Sequence, residues 1–205
     1  MEKYLPIIKS SNLFKDMEEN EIISILSCLQ AKKENFAKDT FILRVGNQTN
    51  LIGLVLSGNV LVIQEDIWGN RNILSKIGPG QTFATAYACA KGAILDVSVF
   101  AETSVNILFL NINQVLNMCS SSCKHHNLII QNLLEELAYK NIGFAEKITH
   151  IGQRSTRSKI MSYLSFEAQR FGKYEFDIPF SRQQLADYLA VERSGLSLEL
   201  SKMQR

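Results

Sequence analysis

The sequence predicts an α+β protein with an N-terminal β-barrel of the jelly-roll type, a long helix and a C-terminal helix-turn-helix. Three observations predict this fold: short β-rich runs between glycine-bearing turns, an apolar heptad, and two short amphipathic helices at the end. We place the domain boundary after the long helix, which covers about 124–151. Residues 1–151 then form the barrel domain, and residues 152–205 form the helix-turn-helix domain.

The β-rich part begins near Phe36 and ends near Leu110. Its predicted strands are 40–45, 51–56, 60–64, 73–77, 97–100 and 105–110, and a further short strand is predicted at 174–178. Short strands at near-regular spacing, with glycine in the turns, are typical of a barrel or jelly roll. The apolar pattern of residues 10–30 predicts one or two short helices, with Asp16 or Asn20 as the capping residue.

Composition places the chain among globular proteins of a reducing compartment. Of its 205 residues, 46% are hydrophobic, which is enough for a packed core, and the net charge is only +2. Four scattered cysteines do not form a disulfide framework, and no apolar run reaches the roughly 18 residues that span a bilayer. The N-terminus lacks the apolar core of a signal peptide. We therefore expect a cytoplasmic protein with no membrane contact.

The long predicted helix carries an apolar seam at alternating spacings of four and three residues. Its members are Ile130, Leu134, Leu137, Asn141, Phe144, Ile148 and Ile151. A lone Asn in such a seam fixes the register of parallel two-stranded coiled coils, so the pattern predicts a homodimer through this helix. The alternative is a helix packed on its own barrel, with Asn141 at the solvent edge.

The last 25 residues read as two helices joined by a tight turn. Ser181 and Gln184 have the spacing of a capping box at the start of the first helix. The apolar positions are Leu185, Ala186, Leu189, Val191, Leu196, Leu200 and Met203. Residues 152–205 carry a charge of +3 against −1 for 1–151, which favours contact with phosphate. The alternative is an ordinary helical hairpin that ends a globular domain.

A helix-turn-helix inserts its second helix into the major groove of double-stranded DNA. The predicted DNA-binding residues are Ser181, Arg182, Gln183, Arg193, Ser194, Ser197 and Ser201. Arg193 lies in the first turn of the second helix, where a guanidinium can pair with guanine, and Arg182 is expected near phosphate.

These motifs resemble those of the Crp/Fnr-type bacterial transcription regulators. The resemblance rests on 185–189, Arg193-Ser194 and 199–203 in the helix-turn-helix, and on Gly46, 54–60 and 77–83 in a cyclic-nucleotide-binding-like barrel. It implies a homodimer that binds DNA and RNA polymerase and responds to a small-molecule effector. Ala190 replaces a frequent Gly, Gly195 weakens the second helix, and Leu198 replaces a frequent Arg. The usual wing hairpin does not follow Met203, and we expect that it is truncated or disordered.

Family members that bind cyclic nucleotides use a Glu for the ribose and an Arg followed by Ser or Thr for the phosphate. Thr85, Leu95 and Asp96 stand at those positions here. A carboxylate beside a phosphate is repulsive, so we expect a signal other than cyclic AMP. The predicted effector pocket is small and largely apolar and consists of Phe83, Ala84, Thr85, Tyr87, Cys89 and Leu95.

Cys119, Cys123 and His126 share one helical face and could hold zinc or haem iron, or report redox state. The alternative is that the cysteines are small buried hydrophobic residues. The sequence therefore assigns no cofactor. Iron–sulfur members of the family use an N-terminal cysteine group, and residues 1–27 contain no cysteine.

Two further function classes compete with that of a DNA-binding regulator. A ligand-, haem- or metal-sensing module could act through protein contacts alone. Jelly-roll barrels also house metal-dependent enzymes, whose chemistry needs histidine ligands inside the barrel. Because His125, His126 and His150 all lie outside the barrel segment, the sequence predicts no enzyme.

Overall fold

The computed structural model describes residues 2–111, 113–114 and 124–204. Its helices are α1 (Leu5–Lys9), α2 (Glu19–Cys28), α3 (Thr85–Cys89), α4 (Lys124–Ile151), α5 (Thr156–Phe171), α6 (Arg182–Leu189) and α7 (Arg193–Met203), with 3-10 turns at Glu2–Tyr4 and Asn12–Phe14. Its strands are β1 (Lys32–Phe36), β2 (Phe41–Leu43), β3 (Leu51–Ser57), β4 (Val60–Glu65), β5 (Arg71–Ile77), β6 (Thr82–Phe83), β7 (Ser98–Ala101) and β8 (Val105–Asn111).

The strands form two four-stranded sheets. One has the order β1-β8-β3-β6 and the other the order β2-β7-β4-β5. Five strand pairings are antiparallel: β1–β8, β3–β8, β3–β6, β2–β7 and β4–β7. The strand order shows that neighbours in each sheet are often distant in sequence. This architecture confirms the predicted α+β class and the jelly-roll barrel.

Strands β3 and β8 are buried on both faces, and this explains their continuous apolar runs. On one face Leu54 and Leu108 join a core with the N-terminal helices and α4. On the other face Val55 and Ile107 line the barrel interior. The sheet that contains these strands therefore supports two cores at once.

Strand β1 was missed by the sequence prediction. Its residues Lys32–Phe36 are mostly exposed and charged, and it pairs along β8 at the edge of its sheet. A strand of this kind has no apolar alternation to detect, because neither of its faces is fully buried.

Two local predictions were wrong. Glu18, not Asp16 or Asn20, caps α2, and its backbone N–H donates to Glu21 in a capping box. Residues 174–178 do not form a strand. Phe176 instead stacks on Phe171 at 5.5 Å between ring centroids, while Tyr174 is exposed. Phe176 is thus accounted for by ring stacking, and Ile178 packs against the core of the C-terminal helices.

The chain divides into two compact units, and the division falls inside α4. Unit 1 contains residues 1–64 and 75–139, and unit 2 contains residues 65–74 and 140–205. The turn between β4 and β5 therefore belongs to the same unit as the C-terminal helices. A functional boundary at 151/152 stays a prediction.

Among the described residues, no helix is both long and apolar enough to cross a bilayer.

Gly53 is required by the close approach of an aromatic ring. A Cβ at this position would lie 2.0 Å from Cζ of Phe83, which pairs with Gly53 across β3 and β6. The Phe83 ring also packs edge-on against Phe109 at 6.2 Å between centroids. The barrel interior is therefore filled by a ring that only glycine can accommodate.

We expect Gly53→Ala to lower the free energy of unfolding by roughly 1–3 kcal/mol, because the ring must leave its preferred rotamer. Urea unfolding of the purified chain measures this loss. In a Phe83→Leu background the same substitution should cost much less, since the ring is gone. An equal cost in both backgrounds would show that the ring does not impose the constraint.

Candidate functional site

The chain after β6 forms the segment in which the sequence predicted an effector pocket. Ala84 has a left-handed backbone (φ 60°) and reverses the chain directly into α3. Phe83 and Leu95 are buried, and Phe83 belongs to the barrel-interior cluster. Two of the predicted pocket residues thus contribute to packing.

Tyr87 and Asp96 contact each other across this segment. The phenol oxygen of Tyr87 donates a hydrogen bond to Oδ1 of Asp96. Burial, with the neighbouring carboxylate, raises the pKa of Tyr87 to about 12, so the phenol stays protonated as a donor at neutral pH. The acidic residue at the predicted phosphate position is therefore engaged by the chain's own side chain.

A buried chain of hydroxyls joins α3 to α4 within unit 1. Thr85 and Thr82 lie 3.0 Å apart through their Oγ1 atoms, and Thr82 donates to the carboxylate of Glu136 on α4. All three residues are buried. The first residue of α3 is thus connected to the long helix by side-chain hydrogen bonds.

A polar cleft of about 560 Å³ lies beside α3. It is lined by Gln48, Thr49, Asn50, Ala88, Cys89, Ala90, Lys91, Gly92, Ala93 and Asn113. Of the six predicted pocket residues, only Cys89 is among them. The cleft offers amides, a hydroxyl and one lysine, which suits a small polar molecule better than an apolar one.

The α6–turn–α7 segment has the geometry expected of a helix-turn-helix. The capping box is present, because Ser181 N–H donates to Gln184 Oε1 (2.9 Å) and Gln184 N–H donates to Ser181 Oγ (3.3 Å). Leu185, Leu189 and Leu196 are buried in one cluster with residues of α5. The turn residue Ala190 adopts the left-handed conformation (φ 51°), which is why glycine is favoured there.

The predicted DNA-binding residues lie mostly on the surface. Ser181, Arg182, Gln183, Arg193, Ser194 and Ser201 are exposed, and Ser197 is half-buried. Gln183 donates to Asp187, and Ser201 donates to the carbonyl of Ser197. Leu198 is also exposed on α7. This helix thus presents a polar surface with one apolar residue.

Helix α4 carries two different stripes along its length. On the predicted seam, Leu134 is 69% exposed, Phe144 45% and Ile148 65%, while Asn141 is also exposed. Ile130 and Leu137 are partly buried against the unit 1 core. Part of the seam is therefore buried within the chain, and the rest is exposed.

The second stripe faces inward and was not predicted. Its polar members Asn132, Glu136, Lys147 and His150 are buried. Asn132 donates to the carbonyls of Leu13 (3.2 Å) and Lys15 (2.9 Å), and His150 Nδ1 lies 2.8 Å from Ser162 Oγ. Burial lowers the pKa of His150. These residues share a 3-4 spacing, but their polarity hides the stripe from an apolar pattern search.

Two members of the proposed thiol–imidazole cluster, Cys119 and Cys123, lie outside the described residues. His126 is described and buried, and its Nδ1 has no hydrogen-bond partner within the described part of the chain.

Residues 33–122 match the family model of the cyclic nucleotide-binding domain. No curated protein sequence matches the chain. Among solved structures, the c-di-GMP responsive global regulator CLP of Xanthomonas campestris has a TM-score of 0.73 and 16% identity, with 91% of this chain and 92% of that chain covered.

Two more solved structures have a similar fold. A CooA mutant from Carboxydothermus hydrogenoformans has a TM-score of 0.71 and 16% identity, covering 93% of this chain and 80% of that one. A CRP-family transcriptional regulator from Thermus thermophilus has a TM-score of 0.61 and 20% identity, covering 84% of each chain. Residues 33–122 are thus similar to the cyclic nucleotide-binding domain family, and the chain as a whole has the fold of Crp/Fnr-type transcription regulators.

Proposed function

We propose that this chain is a homodimeric, sequence-specific DNA-binding transcription regulator. The observation that carries the proposal is the capped α6–turn–α7 segment, whose second helix exposes Arg193 and Ser194 at its start. In a helix-turn-helix these positions contact base edges in the major groove. The fold shared with transcription regulators supports the same function, and neither observation favours an enzyme. A cytoplasmic location and contact with RNA polymerase follow as parts of this proposal.

Homodimer formation is supported by the open part of the α4 seam. Leu134, Phe144 and Ile148 expose apolar surface at heptad positions around Asn141. Burying such side chains contributes about 1.5–3 kcal/mol each when burial is complete. A second copy of α4 supplies the matching surface, and a twofold axis places two copies of α7 on successive turns of DNA.

The signal is proposed to be a molecule other than cyclic AMP. Leu95 is buried in the protein, and Asp96 accepts a hydrogen bond from Tyr87, so neither supplies a cation for a phosphate. An anion bound without a cation is strongly disfavoured. The polar cleft beside α3 is the better candidate for an effector, because its amides and Lys91 are accessible. A sensor that acts only through protein contacts remains the second candidate, and DNA binding decides between the two.

The dimer proposal predicts that Leu134→Glu combined with Ile148→Glu gives monomers in sedimentation velocity. Both residues are exposed in the protomer, so the substitutions leave its core intact. Ile23→Glu, the same kind of apolar-to-charged change at an exposed residue of α2, is the control and should leave the dimer unchanged. If the double variant stays dimeric, the interface lies elsewhere.

Isothermal titration with cyclic AMP or cyclic GMP is expected to give no binding heat at physiological nucleotide concentrations. The reason is the missing phosphate-binding cation at Leu95. Micromolar affinity for either nucleotide would overturn this, and loss of that affinity in Lys91→Ala would then identify the substitute cation.

Selection of binding sites from a random DNA library is expected to yield a preferred motif for the wild-type chain. Arg193→Ala should weaken binding to that motif by roughly 1–3 kcal/mol per half-site and relax the preference at one base pair. Arg182→Ala should weaken all sequences about equally and reduce the salt dependence of binding. An unchanged motif for Arg193→Ala would place another face of α7 in the groove. No preferred motif for the wild-type chain would favour the protein-contact alternative.

A further inference from the structure

Lys147 is a buried cation without a carboxylate partner. Its residue is 4% exposed, and no carboxylate of the described residues lies within ion-pair distance of its Nζ. The ammonium donates instead to Oδ1 of Asn72 (2.9 Å) and to the carbonyl oxygen of Ile73 (2.5 Å). Burying a charge against neutral acceptors alone is costly, so its retention requires an explanation.

The same ammonium lies 4.8 Å from the centroid of the Tyr188 ring on α6. At this distance a cation over an aromatic face is attracted by the ring, most strongly when it is desolvated. Tyr188 in turn stacks on Phe180 at 4.9 Å and packs edge-on against Tyr163 at 5.8 Å. The Tyr188 ring therefore contacts both the Lys147 ammonium and the aromatic residues packed around the helix-turn-helix.

Lys147 contacts the first residues of β5, and side-chain bonds hold the turn that directly precedes them. Asp66 Oδ1 accepts from the backbone N–H groups of Trp68 and Asn70 at 2.9 Å each, and Glu65 pairs with Arg71 at 2.8 Å. Trp68 at the tip is 80% exposed and is the only tryptophan of the chain. Because these bonds connect the turn to the start of β5, we expect the surroundings of Trp68 to depend on how Asn72 is held.

We propose that Lys147 is a positioning residue that couples the β4–β5 turn to α6 and thereby sets the orientation in which α6 and α7 meet DNA. The coupling consists of two hydrogen bonds to the first residues of β5, which follow the turn, and a cation–ring contact with α6. It rests on the proposed function only for its last step, the effect on DNA. The link between the turn and α6 is tested without DNA.

The charge on Lys147 is sensitive to pH near neutrality. Burial lowers its pKa to about 8, so the ammonium is present below pH 8 and is lost as the pH rises through that value. A neutral amine keeps donors for the turn but loses the attraction to the ring. Coupling to α6 should therefore be strong at pH 7 and weak at pH 9.

The groups around Lys147 do not change charge in the same range. Burial raises the pKa of Tyr188 to about 12, raises that of Tyr163 further, and lowers that of His150, while hydrogen bonds from Asn70 lower that of Asp66. Charged side chains on the turn, α4, α5 and α6 include Glu65, Arg71, Glu146, Glu167, Arg170 and Asp187.

The first test follows the anisotropy and emission of Trp68 in the full-length chain between pH 6.5 and 9.5. Wild type should show a transition near pH 8, and Lys147→Met and Lys147→Arg should not, because neither side chain changes charge there. Lys173→Met, which alters an exposed lysine of the same unit, is the matched control and should retain it. Absence of the transition in wild type, or its persistence in Lys147→Met, overturns the proposal.

Tyr188→Leu tests whether the contact between Lys147 and α6 affects the β4–β5 turn. Removing the ring destabilises the charged form, so the midpoint of the Trp68 transition should fall by about half a pH unit or more. An unchanged midpoint means that Lys147 holds only the turn, and overturns the coupling. If Lys147→Met fails to fold, the Lys147→Arg and Tyr188→Leu titrations decide the matter in its place.

The second test measures affinity for the selected DNA motif at pH 7 and pH 9. Wild-type affinity should fall about threefold to tenfold more than that of Lys147→Arg, whose guanidinium keeps its charge. Equal falls contradict a role in positioning the helix-turn-helix. If no variant binds DNA, the proposed function fails, while the Trp68 titration still decides whether the turn and α6 are coupled.

Discussion

The structure depends on helix α4, which over its 28 residues has one buried polar face and one largely exposed apolar face. One face of α4 is buried, first against the helical core of unit 1 and then among the residues of unit 2, and it holds Asn132, Glu136, Lys147 and His150. The other face exposes an apolar seam. Because both stripes lie on one helix, the packing of the inward stripe in each unit fixes which apolar side chains of the seam stay exposed.

Periodicity accounts for the parts of the fold that the sequence predicted. Apolar runs located β3 and β8, the 4-3 spacing located α4, and Ser181 with Gln184 located the start of α6. Each of these signals is local. Strand β1 has no periodic apolar pattern, because its side chains are mostly charged and exposed. Helix α3 has none either, because its five residues make little more than one turn.

The inward stripe of α4 could not be predicted for a different reason. Its polar residues are satisfied by partners far away in sequence: Asn132 by the carbonyls of Leu13 and Lys15, Lys147 by Asn72 and Ile73. Only the folded chain brings these groups together. The same holds for the segment of the predicted effector pocket. The sequence shows that Leu95 and Asp96 replace the phosphate-binding residues, but it does not show that Tyr87 donates a hydrogen bond to Asp96. The match to the cyclic nucleotide-binding domain family describes the barrel fold, whereas the contact between Tyr87 and Asp96 depends on this chain's own side chains.

Unit 2 is assembled from two separate stretches of chain, 65–74 and 140–205. The first stretch is the turn between β4 and β5 together with the start of β5, and these two strands are neighbours in one sheet. Contacts between stretches so far apart form late, because the long intervening loop must first be closed. During synthesis the barrel strands emerge first and present the turn before α6 exists. The C-terminal helices therefore complete a unit whose first stretch is already synthesised, and a chain in which residues 65–74 are misplaced lacks the groups that α4 contacts there.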